Sequence, residues 1–141
     1  MPSWEHCFLL AVLVFGFGIG ALAVEPEGFA GVRSYQIVDG KVDGRTYNGY
    51  RHFHASCNHC HGPDGMGSSF GPSLIDRLPP IERFRSIVLG GISKEGAIMK
   101  GFAGDPNVSP HLDDIYAYLQ ARADGALGRG RPDRLEERLE K

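Results

Sequence analysis

Residues 57–61 read Cys57-Asn58-His59-Cys60-His61, and Gly62 follows at once. Two thiols separated by two residues, with a histidine directly after the second, form the attachment signature of c-type haem. The thiols at this spacing can add across the two vinyl groups of one porphyrin. The imidazole of His61 then lies where it can bind the iron from one face. One short segment thus supplies two thioether anchors and an axial ligand.

Other uses of the same residues are weaker. A zinc site needs two further ligands at matching spacing, and the only other cysteine is Cys7. His111 stands alone far downstream. A thioredoxin-like dithiol needs a strand-helix-strand setting, which the surrounding sequence does not offer. A structural disulfide leaves His61 unexplained.

The N-terminus agrees with a haem protein assembled outside the cytoplasm. Residues 8–23 (FLLAVLVFGFGIGALA) carry no charge and end in a small-x-small triplet. This is the pattern of a cleaved secretory signal peptide, and the stretch is short for a membrane span. A retained membrane anchor is the alternative, since residues 1–7 contain no Lys or Arg. We therefore expect a periplasmic protein, monomeric and without a membrane span after cleavage. The whole chain has 15 basic and 17 acidic residues, a formal charge of −2. That balance argues against a nucleic-acid partner, which requires a strong basic excess.

The rest of the chain reads as a mainly α protein of four segments. Residues 1–23 are the signal peptide. Residues 24–44 form an N-terminal extension, in which Asp39-Gly40 between two β-prone runs predicts a short hairpin. Residues 45–124 are the haem domain, and 125–141 a flexible charged tail. Within the domain the first helix is expected over 45–57, ending at the haem motif. Residues 62–78 are loop, rich in Gly, Ser and Pro. A second helix begins near Pro79-Pro80, carries Ile81, Phe84, Ile87 and Val88, and stops at Gly90-Gly91. Residues 91–108 are loop again. The last helix is expected to start with Ser109 as N-cap and Pro110 in the first turn, with Leu112, Ile115, Tyr116 and Leu119 at helical spacing. The arginines 122, 129, 131 and 134 could dock an acidic partner, or simply belong to a solvated terminus.

Two methionines outside the signal segment could supply a sixth iron ligand, because a thioether favours ferrous iron. Met66 lies in the loop just after His61, on the same side of the ring. Met99 lies 38 positions beyond His61 and past a helix, so the chain has room to cross to the opposite face. Met99 is the expected ligand; His111 and an open site are the alternatives. His52, His54 and His59 are read as solvent-facing or haem-edge residues, and Tyr47 and Tyr50 as packing.

Gly49, Phe53 and Cys57 at intervals of four, together with Tyr118-Leu119 in the last helix, resemble the helix pair of the class I, monohaem cytochromes c. The resemblance implies a small cytochrome c-type fold of three to four helices around one covalent haem c. It implies that the first and last helices cross at Gly49. Met99-Lys100-Gly101-Phe102 resembles that family's Met-Pro-x-Phe ligand loop, with Lys100 in place of the proline. Gly71-Pro72-Ser73-Leu74 resembles its Gly-Pro-x-Leu segment. By that likeness the Pro72 carbonyl accepts from the His61 ring, and Leu74 packs on haem. The stretches 35–43, 49–74 and 113–132 look most like the periplasmic cytochromes that serve quinoprotein methanol and ethanol dehydrogenases, related to cytochrome cL. That likeness implies an electron carrier rather than an enzyme. It would accept single electrons from a PQQ-dependent alcohol dehydrogenase and pass them to a downstream cytochrome or oxidase. The chain departs from that subgroup at Ser109-Pro110-His111, where the subgroup often has a cysteine. A haem-based sensor or small haem enzyme with an open sixth position is the competing reading.

Overall fold

The computed structural model describes residues 33–94 and 96–136. The expected signal peptide lies outside the described residues. The chain opens with a two-stranded antiparallel hairpin, β1 (Ile37–Val38) and β2 (Lys41–Val42). Asp39 and Gly40 form its turn, both with positive φ, as a tight turn of this kind requires. Helix α1 (Gly44–Ser56) follows immediately. Asp43 caps it: one carboxylate oxygen accepts from the Thr46 N–H at 2.9 Å, and the other from the Thr46 hydroxyl and the Gln36 N–H. The motif itself forms a short helix, α2 (Asn58–His61), and then a 3-10 turn over Pro63–Gly65.

Helix α3 (Ile81–Gly90) buries Phe84 and Val88. It leads into a second hairpin, β3 (Ile92–Lys94) with β4 (Ala97–Met99), in which Ile92 opposes Met99. The sequence reading placed this stretch in a loop. Each strand is three residues long and Ile98 is 88% exposed, so no alternating pattern develops. The last helix also begins differently from expectation. Ser109–His111 form a 3-10 turn without a side-chain cap, and α4 spans Leu112–Ala123. Pro110 suits the 3-10 turn because its missing N–H needs no partner there.

The core lies between α1 and α4. Phe53, Ile115, Tyr118 and Leu119 are almost wholly buried there, and Phe84 and Val88 of α3 join them. The crossing is close because Gly49 faces the backbone of α4. A Cβ built on Gly49 would lie 1.8 Å from the Asp114 carbonyl oxygen. Arg85 of α3 holds α4 through a two-pronged bond to the Asp113 carboxylate, both at 2.9 Å. Tyr116 donates its hydroxyl to the Pro79 carbonyl at 3.1 Å.

The segment after α4 is not a free tail through residue 136. Leu127 and Pro132 are buried. The Val42 N–H donates to the Asp133 carbonyl, and the Leu135 N–H donates to the Val42 carbonyl, both at 2.8 Å. A parallel bridge between Val42 and Arg134 results, so the end of the chain pairs with the strand that opens it. Arg122, expected at the surface, is only 8% exposed and spends its guanidinium inside the molecule.

Candidate functional site

The cysteines sit at the junction of α1 and α2. The N–H of Cys57 still donates to the Phe53 carbonyl, 2.8 Å, and the N–H of His61 to the Cys57 carbonyl, 3.0 Å. Helical continuity therefore fixes the order Cys57, Cys60, His61 on one short ramp. Both thiols are free. Burial, then the negative charge of Asp105, push the Cys57 thiol up to about 11. A redox dithiol works in the opposite sense, with its thiolate stabilised. Among the described residues, no group of three His, Cys, Asp or Glu side chains could hold a metal ion.

His61 is oriented from behind. Its Nδ1–H donates to the Pro72 carbonyl oxygen at 2.9 Å, which leaves Nε2 as the lone-pair nitrogen for a metal. Such a bond fixes the ring and raises its basicity. The loop that carries Pro72 is drawn in by several backbone bonds. The Gly67 N–H donates to the His61 carbonyl at 2.7 Å, and the Leu74 N–H to the Gly65 carbonyl at 2.9 Å. The Ser68 hydroxyl donates to the Cys60 carbonyl at 2.5 Å. Gly62 takes φ 72°, and a side chain there would strike the Gly67 carbonyl. Gly71 is equally confined, since a Cβ would come within 2.9 Å of the Cys60 carbonyl oxygen and 3.1 Å of His61 Nδ1.

The remaining candidates fall on other elements. Leu74 and Met99 are partly buried against the core, as are Leu78, Leu89 and Phe102. Met99 ends β4, and the Phe102 N–H beyond it donates to the Val88 carbonyl of α3 at 2.9 Å. Met66 turns towards α4, where its sulfur accepts from an Arg122 NH2 group at 3.7 Å. His111 stacks on His52, with ring centroids 3.7 Å apart and an interplanar angle of 12°. Its Nδ1 also contacts the Asn48 side-chain amide at 3.2 Å.

The fold and this geometry have close counterparts. The family described as "Cytochrome C oxidase, cbb3-type, subunit III" matches residues 44–119. Cytochrome c-555 of Methylococcus capsulatus is 34% identical over 92 residues, 63% of this chain and 72% of its own. The chain is a class I c-type cytochrome. Cytochrome c-553I of Paracoccus denitrificans is 37% identical over 114 residues, 76% of this chain. The cytochrome described here spans about half the length of that relative, 50%. The crystal structure of the c-type cytochrome XoxG from Methylobacterium extorquens AM1 superposes with a TM-score of 0.68 at 46% identity. It covers 74% of this chain and 67% of that one.

The cofactor of this cytochrome is one covalently bound haem c. The residues present suit it: two unbridged thiols one helical turn apart and an imidazole held by a carbonyl. Two apolar side chains stand exposed, Phe70 at 82% in the loop after His61 and Ile98 at 88% on β4. A groove of about 650 Å³ lies elsewhere, along α1 between Arg45 and Arg51, and includes none of these residues. It is an open channel between charged side chains, whereas a haem is held by covalent bonds and apolar contact.

One buried polar residue that sequence reasoning did not single out, Asp64, ties the loop after His61 to the rest of the chain. It is 5% exposed, has a left-handed backbone (φ 59°), and gathers contacts from three other parts of the chain. Burial alone would raise its pKa. The Gly130 N–H, the Arg129 guanidinium and the Tyr118 hydroxyl outweigh that and hold the carboxyl below the usual range. In the sequence, Gly62-Pro63-Asp64-Gly65 reads only as a turn.

Proposed function

We propose that this cytochrome is a periplasmic one-electron carrier. In this reading Cys57 and Cys60 hold the haem, and His61 and Met99 are its axial ligands. The observation that carries it is the His61–Pro72 bond, which presents a single imidazole nitrogen beside two free thiols. The haem supplies a reversible ferric–ferrous couple; the chain binds it, orients His61 and excludes water from one face. Pro72 fixes the imidazole, and Leu74 would pack on the haem. Met99 is favoured over Met66 because the Met66 sulfur already faces Arg122. It is favoured over His111 because that ring is committed to His52 and Asn48.

The electron donor in this reading is a PQQ-dependent alcohol dehydrogenase, and the acceptor a downstream cytochrome or oxidase. The likeness of 35–43, 49–74 and 113–132 to the cytochrome cL group supports it. Among the described residues no helix is long and apolar enough to cross a membrane. The test is rapid mixing of the oxidised protein with reduced quinoprotein methanol or ethanol dehydrogenase. Fast haem reduction by one of them supports the assignment; reduction by neither removes the donor. Added carbon monoxide should leave the ferrous spectrum unchanged, whereas an open sixth position would shift it at once.

A further inference from the structure

We propose that Gly91 and Gly101 lock the end of α3 to the loop after β4, backbone against backbone, and that this lock positions Met99 for the iron. The inference rests on the reading of Met99 as sixth ligand and adds what holds it there.

The segment that follows Met99 does not stiffen itself. Position 100 is Lys, where a proline would fix one backbone angle. Lys100 is exposed, with Nζ 4.7 Å from the centre of the Phe102 ring. The restraint comes from α3 instead. A Cβ built on Gly91 would stand 2.6 Å from the Met99 carbonyl oxygen and 2.7 Å from the Gly101 nitrogen. A Cβ built on Gly101 would stand 2.6 Å from the Leu89 carbonyl oxygen and 3.1 Å from the Gly90 carbonyl carbon. Each glycine thus faces the main chain of the other's segment. Backbone atoms have no rotamer by which to yield, so this approach has little slack.

Hydrogen bonds fix the same seam. The Gly91 N–H donates to the Ile87 carbonyl at 2.8 Å and closes α3, and the Phe102 N–H donates to the Val88 carbonyl at 2.9 Å. Ile92 opposes Met99 across the β3–β4 pair. Met99 is therefore held by a strand partner, and the residues just after it are held by the last turn of α3. The two glycines are needed for different reasons. Gly91 has φ 77°, so a side chain there would be strained as well as crowded. Gly101 has no such left-handed backbone; the close approach alone calls for glycine.

Helix α3 is anchored in turn. The Phe84 and Tyr116 rings meet with centroids 5.3 Å apart, and Arg85 grips the Asp113 carboxylate. Helix α4 crosses α1 at Gly49, and α1 runs into the segment that bears Cys57 and His61. Packed elements thus connect Met99 to His61 through the chain itself. A group held beforehand in its bound arrangement loses less freedom on binding. The thioether then competes better with water or a small gas for the sixth position. Gly91 and Gly101 are positioning residues in this scheme, since they act only through Met99.

The test uses the haem-loaded protein and three single variants, Gly101→Ala, Gly90→Ala and Met99→Ala. A Cβ on Gly90 meets nothing within 4 Å, so Gly90→Ala is the control beside the lock. Gly101→Ala should keep its covalent haem and a wild-type far-UV circular dichroism spectrum. It should nevertheless lose the ferric thioether-to-iron absorption band, bind carbon monoxide when ferrous and show a lower midpoint potential, since a thioether favours ferrous iron. Gly90→Ala should match the wild type in all three. Amide hydrogen exchange gives a second measurement. In Met99→Ala, which lacks the bond to iron, the Phe102 N–H should exchange within about tenfold of the wild-type rate, because the lock remains. A Gly101→Ala protein that stays six-coordinate, inert to carbon monoxide and at the wild-type potential would overturn the inference and leave Met99 as ligand. A Phe102 amide that loses its protection in Met99→Ala would overturn it too, and decides the matter should Gly101→Ala fail to fold. A Met99→Ala protein with an unchanged thioether spectrum would instead remove the ligand reading, and the inference with it.

Discussion

Gly49 and Asp114 meet backbone to backbone, with the Asp114 carbonyl oxygen 1.8 Å from where a Gly49 Cβ would stand. Both atoms belong to regular helices, so neither can move without its neighbours. Gly49→Ala should separate α1 from α4 and cost about 3 kcal/mol, the upper end for forced overpacking. Denaturant unfolding of the haem-loaded variant measures it. A loss below about 0.5 kcal/mol would mean the helices slide apart freely.

Gly71→Ala acts on the iron side. The added methyl meets the Cys60 carbonyl and the His61 ring, so it should weaken the His61–Pro72 bond. We expect a lower yield of haem-loaded protein and a reduction potential displaced from wild type. Unchanged values would show that the ring is held by other contacts.

Met99→Ala should convert a carbon-monoxide-insensitive ferrous spectrum into one that shifts on gas addition, while Met66→Ala should not. A Met99→Ala protein that keeps a six-coordinate, thioether-type spectrum would exclude Met99 as the ligand.

Stability should fall in acid. Burial opposes ionisation of Asp43, but the Thr46 and Gln36 N–H groups and the Thr46 hydroxyl prevail, and its carboxyl is held below the usual range. Asp64 is shifted in the same direction. A carboxyl depressed on folding contributes its full stability above the unfolded value, and that contribution disappears as pH falls through the folded one. The loss should therefore begin below about pH 4. Asp43→Ala should cost about 1 kcal/mol at neutral pH, as for a lost N-cap, and flatten the acid limb. Melting temperature against pH checks both statements.

The helices and the haem motif were legible because each depends on residues close in sequence. Helix α1 is signalled by its spacing of Gly49, Phe53 and Cys57, and α3 by its proline start and double-glycine stop. What escaped notice depends on distant partners. The β3–β4 hairpin has strands too short to alternate, and Gly90-Gly91 before it looks like the start of a loop. The docking of residues 125–136 turns on two apolar side chains, Leu127 and Pro132, set among arginines and glycines that resemble a solvated terminus. The role of Asp64 is invisible locally, because Tyr118, Arg129 and Gly130 are 54, 65 and 66 positions away.

Strand β2 is flanked on one side by β1 and on the other by residues 133–135. Neighbouring strands lie about 4.8 Å apart, so positions 37 and 134 are roughly 10 Å from each other. A linker of a few residues could therefore splice residue 136 to residue 35, and the chain could be reopened in the 103–107 loop. Such a circular permutant should still fold around the same seam, whereas a bulky fusion placed directly after Leu135 would press on the hairpin.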